Sequence, residues 1–133
     1  MSCIGISDRC NPQNVFVAWH PMLIKVFIFV LTITGEAVIT SAKRFEKIHK
    51  FDTGIHCTDP LRALDIRYYI YSNPEFICDT INEKFTYDPL RPDMKCAILH
   101  TSFDKDGKSL GRHIHLQVHS RTRENGNIKG CES

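Results

Sequence analysis

The apolar positions of the chain fall into runs and alternations that predict two helices and several short strands. Residues 22–31 are almost continuously apolar, with Pro21 before them and Gly35 shortly after them. Proline suits the first turn of a helix and glycine suits the residue after its end, so this segment predicts a buried helix. Asn73 followed by proline predicts the cap of a second helix over 74–85, whose apolar residues recur on one face.

Four segments have patterns typical of strands. These are the β-branched run at 37–40, the segment 96–100 and the alternating segments 63–68 and 113–119. An Asp-Lys-Asp-Gly sequence at 104–107 predicts a hairpin turn between the last two strands in the chain. The order of elements predicts an α+β domain, with a small antiparallel sheet and helices packed on one face.

Length and composition predict one globular domain. The 133 residues suffice for a single domain over 1–133, with a core at about 20–120 and polar tails at both ends. The net charge of +2 is too weak a bias to predict nucleic-acid binding. The uninterrupted apolar run at 26–33 is much shorter than the roughly 20 residues that a membrane span requires.

The beginning of the chain and its cysteines predict a cellular compartment. No basic region followed by a cleavage site begins the sequence, so we expect no signal peptide and synthesis in the cytoplasm. The six cysteines are scattered without a C-x-x-C pair, which favours reduced thiols over a disulfide framework or a zinc finger. Pairing of Cys3 with Cys10 stays open at this point.

Histidines recur at every second position of the last predicted strand. His113, His115 and His119, with Gln117 between them, share one face of that strand, while the intervening apolar residues face the core. Histidine is an uncommon residue, so this repetition indicates metal binding or catalysis. The alternative is a solvated strand face that happens to be rich in histidine.

Two further candidate ligands lie upstream. His56 is in the loop after Gly54, and Asp65 is flanked by apolar residues within a predicted strand. A buried carboxylate without a partner is costly, and a metal ion would provide one. A salt bridge to Arg62 or Arg67 is the alternative explanation for Asp65. Zinc commonly takes about three protein ligands from neutral histidines and carboxylates, which leaves one position for water.

Taken in order, these motifs resemble a known family of zinc enzymes. The segments are Val-Ile-Thr-Ser-Ala-Lys-Arg at 38–44, His56, Arg-Ala-Leu-Asp-Ile at 62–66 and His-Ile-His at 113–115. The set resembles the zinc D-Ala-D-Ala carboxypeptidase and endolysin group, and more closely its small phage or prophage proteins. That group shares its core with lysostaphin-type and hedgehog-type domains. The resemblance covers about residues 20–120 of the chain.

The resemblance implies a hedgehog/DD-peptidase-like fold, one zinc ion and a peptidoglycan peptide as substrate. It implies that the zinc ligands are His56, Asp65 and His115. His113 takes the position that assists the activated water or the oxyanion. Arg44 matches the arginine that holds a substrate carboxylate or carbonyl, a role suited to a side chain that is always charged and binds in a bidentate way.

The chain departs from the family pattern in ways that bear on activity. Eight residues separate His56 from Asp65, where the family usually has six. No acidic residue occurs between Gly107 and His119, where the peptidases usually have a general base. Either His113 replaces that base, or the chain is a zinc-binding relative with little activity.

Two other hypotheses stay open. The strand at 113–118 also resembles the histidine-triad nucleotide hydrolases and transferases, in which a histidine attacks an α-phosphate without a metal. Gln117 then replaces the third histidine, whereas in a peptidase it supports the site or binds substrate. Successive residues on one strand face are about 6.6 Å apart, so His119 lies about 13 Å from His115 and is dispensable in a peptidase. The remaining hypothesis is a phage accessory protein in which zinc only stabilises the fold.

Overall fold

The structure is a computed structural model that describes residues 3–8, 10–43, 54–104 and 106–126. Within these residues the helices are α1 (Pro12–Val15), α2 (Pro21–Thr34) and α3 (Pro74–Lys84), and Ile55–Cys57 forms a 3-10 turn. The strands are β1 (Cys3–Ile6), β2 (Glu36–Ser41), β3 (Ala63–Ile66), β4 (Phe85–Thr86), β5 (Ala97–Phe103), β6 (Ser109–Gln117) and β7 (Arg123–Glu124). The α+β class that the sequence predicts is confirmed.

Helix α2 has the two terminal features that the sequence predicts. Pro21 is its first residue, and the His20 side chain caps it by accepting a hydrogen bond from the Met22 amide at 3.1 Å. The helix continues to Thr34, three residues beyond the predicted end. Gly35 then adopts a left-handed conformation with φ of 83° and donates its amide to Leu31, as a terminating glycine does.

Helix α3 also begins as predicted but presents a narrower apolar face. The Asn73 side chain accepts a hydrogen bond from the Phe76 amide, and Pro74 is the first helical residue. Cys78 and Ile81 are buried. Phe76, which the helical pattern assigned to the buried face, is 63% exposed because it lies in the first turn, at the edge of the core.

The main sheet is mixed, and the prediction of an antiparallel sheet is wrong in one strand pair. Its described strands have the order β1-β2-β3-β6-β5, and β1 pairs with β2 in parallel while the other pairs are antiparallel. The segment before about residue 20 was expected to be a polar tail, but it supplies β1 and α1. Parallel pairing requires a crossover connection, and the helices between β1 and β2 provide it.

The region after β6 is also more ordered than a polar tail. β7 pairs with β4 as a separate two-stranded sheet, with Phe85 opposite Glu124. Residues 127–133 of the expected tail lie outside the described residues.

The two faces of the main sheet have different roles. Helix α2 contacts β2 and β6, and its buried side chains share one core cluster with the apolar residues of the central strands, including Leu64, Ile66, Ile114 and Leu116. Side chains alternate along a strand, so Asp65 of β3 and both His113 and His115 of β6 lie on the opposite face. The chemistry is therefore separated from the apolar core by the thickness of the sheet.

Two expectations from composition concern the cysteines and the membrane. Among the described residues Cys3 and Cys10 are free thiols, as are Cys57, Cys78 and Cys96. Burial raises the pKa of the Cys96 thiol to about 12, and burial with nearby acidic residues raises that of Cys78 to about 11, so both are unreactive core side chains. Within the described segments, the helices lack the length and apolar character needed to span a bilayer.

Candidate metal centre

Strand register brings one carboxylate and one imidazole side by side. Asp65 of β3 lies directly opposite His115 of β6, and Asp65 Oδ1 is 2.9 Å from His115 Nδ1. The 3-10 turn that precedes β3 adds His56, whose Nε2 lies 3.4 Å from the same oxygen. The three residues that the family resemblance implies as ligands therefore meet at one point in the structure.

Several hydrogen bonds hold the turn that carries His56. Gly54 begins the turn with φ of 81°, in the left-handed region that glycine adopts most easily. The Lys43 ammonium donates to the carbonyl oxygens of Cys57 and Thr58 at 3.0 and 2.7 Å. The Thr58 hydroxyl closes the turn by donating to the Ile55 carbonyl at 2.9 Å. Main-chain geometry, and not the His56 side chain alone, therefore sets the position of this imidazole.

The hydrogen bond at the outer nitrogen of His56 determines its tautomer. His56 Nδ1 lies 2.7 Å from the carbonyl oxygen of Ala42, which can only accept a hydrogen bond. Nδ1 therefore carries the hydrogen. In the neutral ring Nε2 then has a lone pair, and that lone pair is directed at Asp65 Oδ1.

The same reasoning fixes the tautomer of His115 through a longer chain of contacts. The Gln117 amide nitrogen donates to the Lys95 carbonyl at 2.7 Å, so the amide oxygen of Gln117 is the atom that faces His115. This oxygen lies 3.1 Å from His115 Nε2, which must therefore carry the hydrogen. In the neutral ring Nδ1 has the lone pair, again directed at Asp65 Oδ1.

Lone pairs from three buried groups thus converge on one small volume. The exposed fractions are 2% for His56, 3% for Asp65 and 8% for His115, so water cannot easily separate the groups. Without a cation between them, the lone pairs of the two neutral imidazoles would repel the carboxylate. Protonating both rings would place two positive rings with centroids 5.3 Å apart in a buried site. A metal ion satisfies all three acceptors at once.

The distances among these atoms are compatible with coordination of one ion. Bonds of about 2.0–2.1 Å in a tetrahedral arrangement place neighbouring ligand atoms about 3.3 Å apart. The two distances from Asp65 Oδ1, to His56 Nε2 and to His115 Nδ1, are 3.4 and 2.9 Å. One ligand atom of each of the three residues lies within 4.8 Å of the others, so this buried group could hold a metal ion.

Asp65 is ionised and ready to act as a ligand. Without a metal ion, burial would raise its pKa, but attraction to and hydrogen bonds from His56 and His115 in their protonated forms outweigh that effect and hold the pKa well below its usual range. A bound cation would take the place of those protons. Its described ionic partners are histidines and not the neighbouring arginines, Arg62 and Arg67, that a simple salt bridge would use.

His113 lies next to the three candidate ligands. Its Nε2 is 3.4 Å from Asp65 Oδ1, and its side chain is buried. Burial lowers the pKa of His113 to about 4, against a smaller opposing effect of Asp65, so the ring is neutral near neutral pH. A neutral imidazole in this position can accept a proton or a hydrogen bond.

Sequence reasoning did not single out His100. It lies on β5 directly opposite His113, and the two ring centroids are 4.8 Å apart. His100, His113 and His115 form a second group whose ligand atoms lie within 4.8 Å of one another. The pattern offered one clue, since the predicted hairpin turn at 104–107 brings these two strands together. However, the register between β5 and β6 shifts near Phe103, so counting residues outward from the turn does not give the pairing of His100 with His113.

The remaining predicted site residues have different positions. Gln117 orients His115 as described above. His119 lies outside the cluster, because its ring packs against Tyr87 at 5.7 Å and its Nδ1 accepts a hydrogen bond from the Arg121 amide. Arg44, the predicted substrate-binding arginine, lies outside the described residues.

Comparison of the chain with protein-family models, with curated proteins and with solved structures finds no match. The similarity to zinc peptidases therefore rests on the motif residues alone. The geometry of the cluster stands independently of it.

Proposed function

We propose that the protein binds one zinc ion through His56 Nε2, a carboxylate oxygen of Asp65 and His115 Nδ1. One observation carries this proposal: the outer N–H groups of both histidines donate to carbonyl oxygens, which leaves both inner lone pairs directed at the carboxylate. Histidines that bind metal ions are typically oriented in this way by a hydrogen bond from the other ring nitrogen.

The donor set favours zinc over other ions and a catalytic site over a structural one. Calcium and magnesium prefer oxygen ligands, whereas two imidazole nitrogens and one carboxylate suit zinc. Structural zinc sites usually have four protein ligands rich in cysteine, and sites with three protein ligands leave a position for water or substrate. The three buried residues here correspond to the second type.

We further propose that the protein is a hydrolase that acts on peptide bonds of peptidoglycan peptides. When bound, zinc lowers the pKa of a water molecule and polarises a carbonyl group. The donor set supports hydrolysis, and the motif resemblance supports this class of substrate. The same resemblance suggests that Arg44 holds a carboxylate or carbonyl of the substrate.

His113 takes the acid–base role in this proposal. Residues 108–119 contain no acidic side chain, so the carboxylate that peptidases of this kind use is missing from that segment. The neutral His113 ring lies 3.4 Å from Asp65 Oδ1 and can accept a proton beside the ion. A positioned histidine typically contributes about 10²–10⁴-fold to a rate as a general acid or base.

The missing carboxylate also favours a second candidate function. In a non-enzymatic accessory protein the same zinc ion stabilises the fold, and no base is required. This candidate shares the ligand set His56, Asp65 and His115 and differs only in turnover.

The experiment that separates the candidates measures turnover on a panel of purified muropeptides. We expect hydrolysis by the zinc-loaded protein, loss of activity with a chelator and recovery when zinc is restored. His113→Ala should retain zinc while turnover falls by about 10²–10⁴-fold.

Three results would redirect the proposal. Zinc binding without turnover on any muropeptide would favour the accessory protein. Full activity of His113→Ala would remove this residue from the mechanism. Hydrolysis of nucleoside phosphoramidates that resists the chelator and disappears in Gln117→Ala would favour the histidine-triad hypothesis.

A further inference from the structure

The histidine on β5 extends the metal centre toward the protein surface. β5 and β6 pair so that His100 is opposite His113 and Ile98 is opposite His115. The His100 ring centroid is 4.8 Å from that of His113 and 5.8 Å from that of His115. The three imidazoles form what we term the outer triad, and the inner triad is His56, Asp65 and His115.

The two triads share His115 and differ in burial. All three members of the inner triad are buried, whereas the outer triad includes one exposed side chain, that of His100. The path from solvent to Asp65 through these groups therefore begins at His100. His113 lies between His100 and Asp65. Its Nε2 is 3.4 Å from Asp65 Oδ1, and its ring is in edge contact with that of His100.

Because both triads include His115, they can bind one ion successively but cannot each hold an ion at the same time. The Nε2 atom of His115 faces the amide oxygen of Gln117, so Nδ1 is the nitrogen available to a metal ion. One nitrogen lone pair binds one ion at a time. An ion that moves between the triads can keep its bond to His115 while it exchanges its other two ligands.

Charge favours the inner position at equilibrium. The outer triad consists of three imidazoles, whereas the inner triad includes a carboxylate side chain, that of Asp65. A divalent cation is bound more strongly where an anionic ligand is available in a buried setting. The outer triad is then a position through which the ion passes.

We propose that His100, His113 and His115 form an outer metal-binding position through which zinc reaches and leaves the buried His56/Asp65/His115 position. This inference rests on the proposed zinc site. It assigns to His100 a role in metal exchange and not in holding the resident ion.

Metal exchange through such a position has a specific kinetic consequence. A group that assists passage in one direction assists it equally in the other, because the equilibrium constant depends only on the two end states. Removing His100 should therefore slow uptake and release by the same factor and leave the dissociation constant unchanged. If loss of one ligand weakens the transient outer complex by about 10- to 100-fold, uptake should slow by a comparable factor.

The test measures zinc uptake by the metal-free full-length protein and release to a strong chelator, both by stopped flow with a colorimetric zinc indicator. His100→Ala is compared with wild type and with His119→Ala, which removes a histidine outside the cluster. We expect both rates to fall about 10- to 100-fold in His100→Ala only, with an unchanged dissociation constant. In His56→Ala, weak binding of one zinc ion should persist and should disappear when His100→Ala is added.

Each other result has a definite meaning. Unchanged rates in His100→Ala would overturn the inference and leave the proposed zinc site intact. A weaker dissociation constant with unchanged uptake would overturn it by making His100 a resident ligand. Wild-type protein that takes up no zinc would overturn both this inference and the proposed function.

Discussion

At the scale of single residues, His56 and His115 each have one nitrogen held by a carbonyl oxygen and the other directed at Asp65. The acceptors are the main chain of Ala42 and the side chain of Gln117. Such partners orient the imidazole and increase its basicity, so they affect metal affinity without touching the ion. Their contribution can be separated from that of the ligands by mutation.

Gln117→Ala should weaken zinc binding by about 10- to 100-fold, because His115 then loses the acceptor that fixes its tautomer. The measurement is a zinc dissociation constant obtained by competition with a chelating dye. Gln117→Glu retains an acceptor oxygen toward His115 and is the matched control, which should bind zinc more tightly than the alanine variant. An unchanged dissociation constant in Gln117→Ala would contradict the assignment of the tautomer.

The candidate ligands, and a supporting position for Gln117, could be predicted from the sequence, but the contacts that fix the tautomers of the two histidines could not. His56, Asp65 and His115 stand out by residue type, by spacing and by an acid set between apolar neighbours. The partners that fix the tautomers come from contacts across 14 residues, for Ala42, and 22 residues, for Lys95 with Gln117. Local patterns carry no information on such contacts, because they depend on how strands and loops meet.

At the scale of elements, the best predictions concern segments whose own pattern is strong. The helix beginning at Pro21 has a nearly continuous apolar run, the strands around Asp65 and His115 alternate apolar and polar residues, and the structure contains all three. β1 was missed because Cys3–Ile6 is short and contains glycine, and its strand conformation depends on pairing with β2. A side chain at Gly5 would lie 3.3 Å from a Val38 methyl group, which explains why a small residue occupies this position.

A buried aspartate fixes the loop after β4 to the segment after β6. Asp88 is fully buried and accepts two hydrogen bonds from the Arg121 guanidinium, at 3.0 and 2.8 Å. It also accepts one from Arg91 and one from the Leu90 amide. Hydrogen bonds from Arg121, with smaller contributions from the other two groups, hold the pKa of Asp88 well below its usual range.

The ion pair between Asp88 and Arg121 predicts part of the acid sensitivity of the fold. Because the pKa of Asp88 is lower in the folded chain than the unfolded value of about 3.9, its contribution is fully present above that pH. This stabilising contribution is lost as the pH falls from that value toward the lower pKa that Asp88 has in the folded chain. Melting temperature measured against pH should therefore depend less on pH below about 4 in Asp88→Asn than in wild type.

The exposed helical residue Asp79 provides the control for this measurement. Asp79→Asn should leave the acid dependence of the melting temperature close to that of wild type. If Asp88→Asn and Asp79→Asn had equal effects on it, the buried carboxylate would not be the group responsible.

At the scale of the whole molecule, the apolar core and the candidate metal centre occupy opposite faces of one sheet. The core side chains of α2 and of the central strands do not include the candidate ligands. The fold therefore has a source of stability that does not depend on a metal ion. If zinc binds as proposed, it adds to that stability, because it binds the folded chain and not the unfolded one.

We expect the metal-free protein to remain folded but to unfold at a lower temperature. Free zinc at 100 times its dissociation constant should stabilise the fold by about 2.7 kcal/mol. Far-UV circular dichroism should be preserved with a chelator at 25 °C, while the melting temperature rises on adding zinc. Loss of secondary structure on chelation would contradict the separation of core and metal centre.

The most direct test of the zinc site is the metal content of purified protein, measured by inductively coupled plasma mass spectrometry after dialysis. Wild type and the control His119→Ala should each contain about one zinc ion per chain, the content of a single three-ligand site. His56→Ala, Asp65→Ala and His115→Ala should each contain much less after the same dialysis. Equal zinc in all five proteins, or none in wild type, would contradict the proposed site.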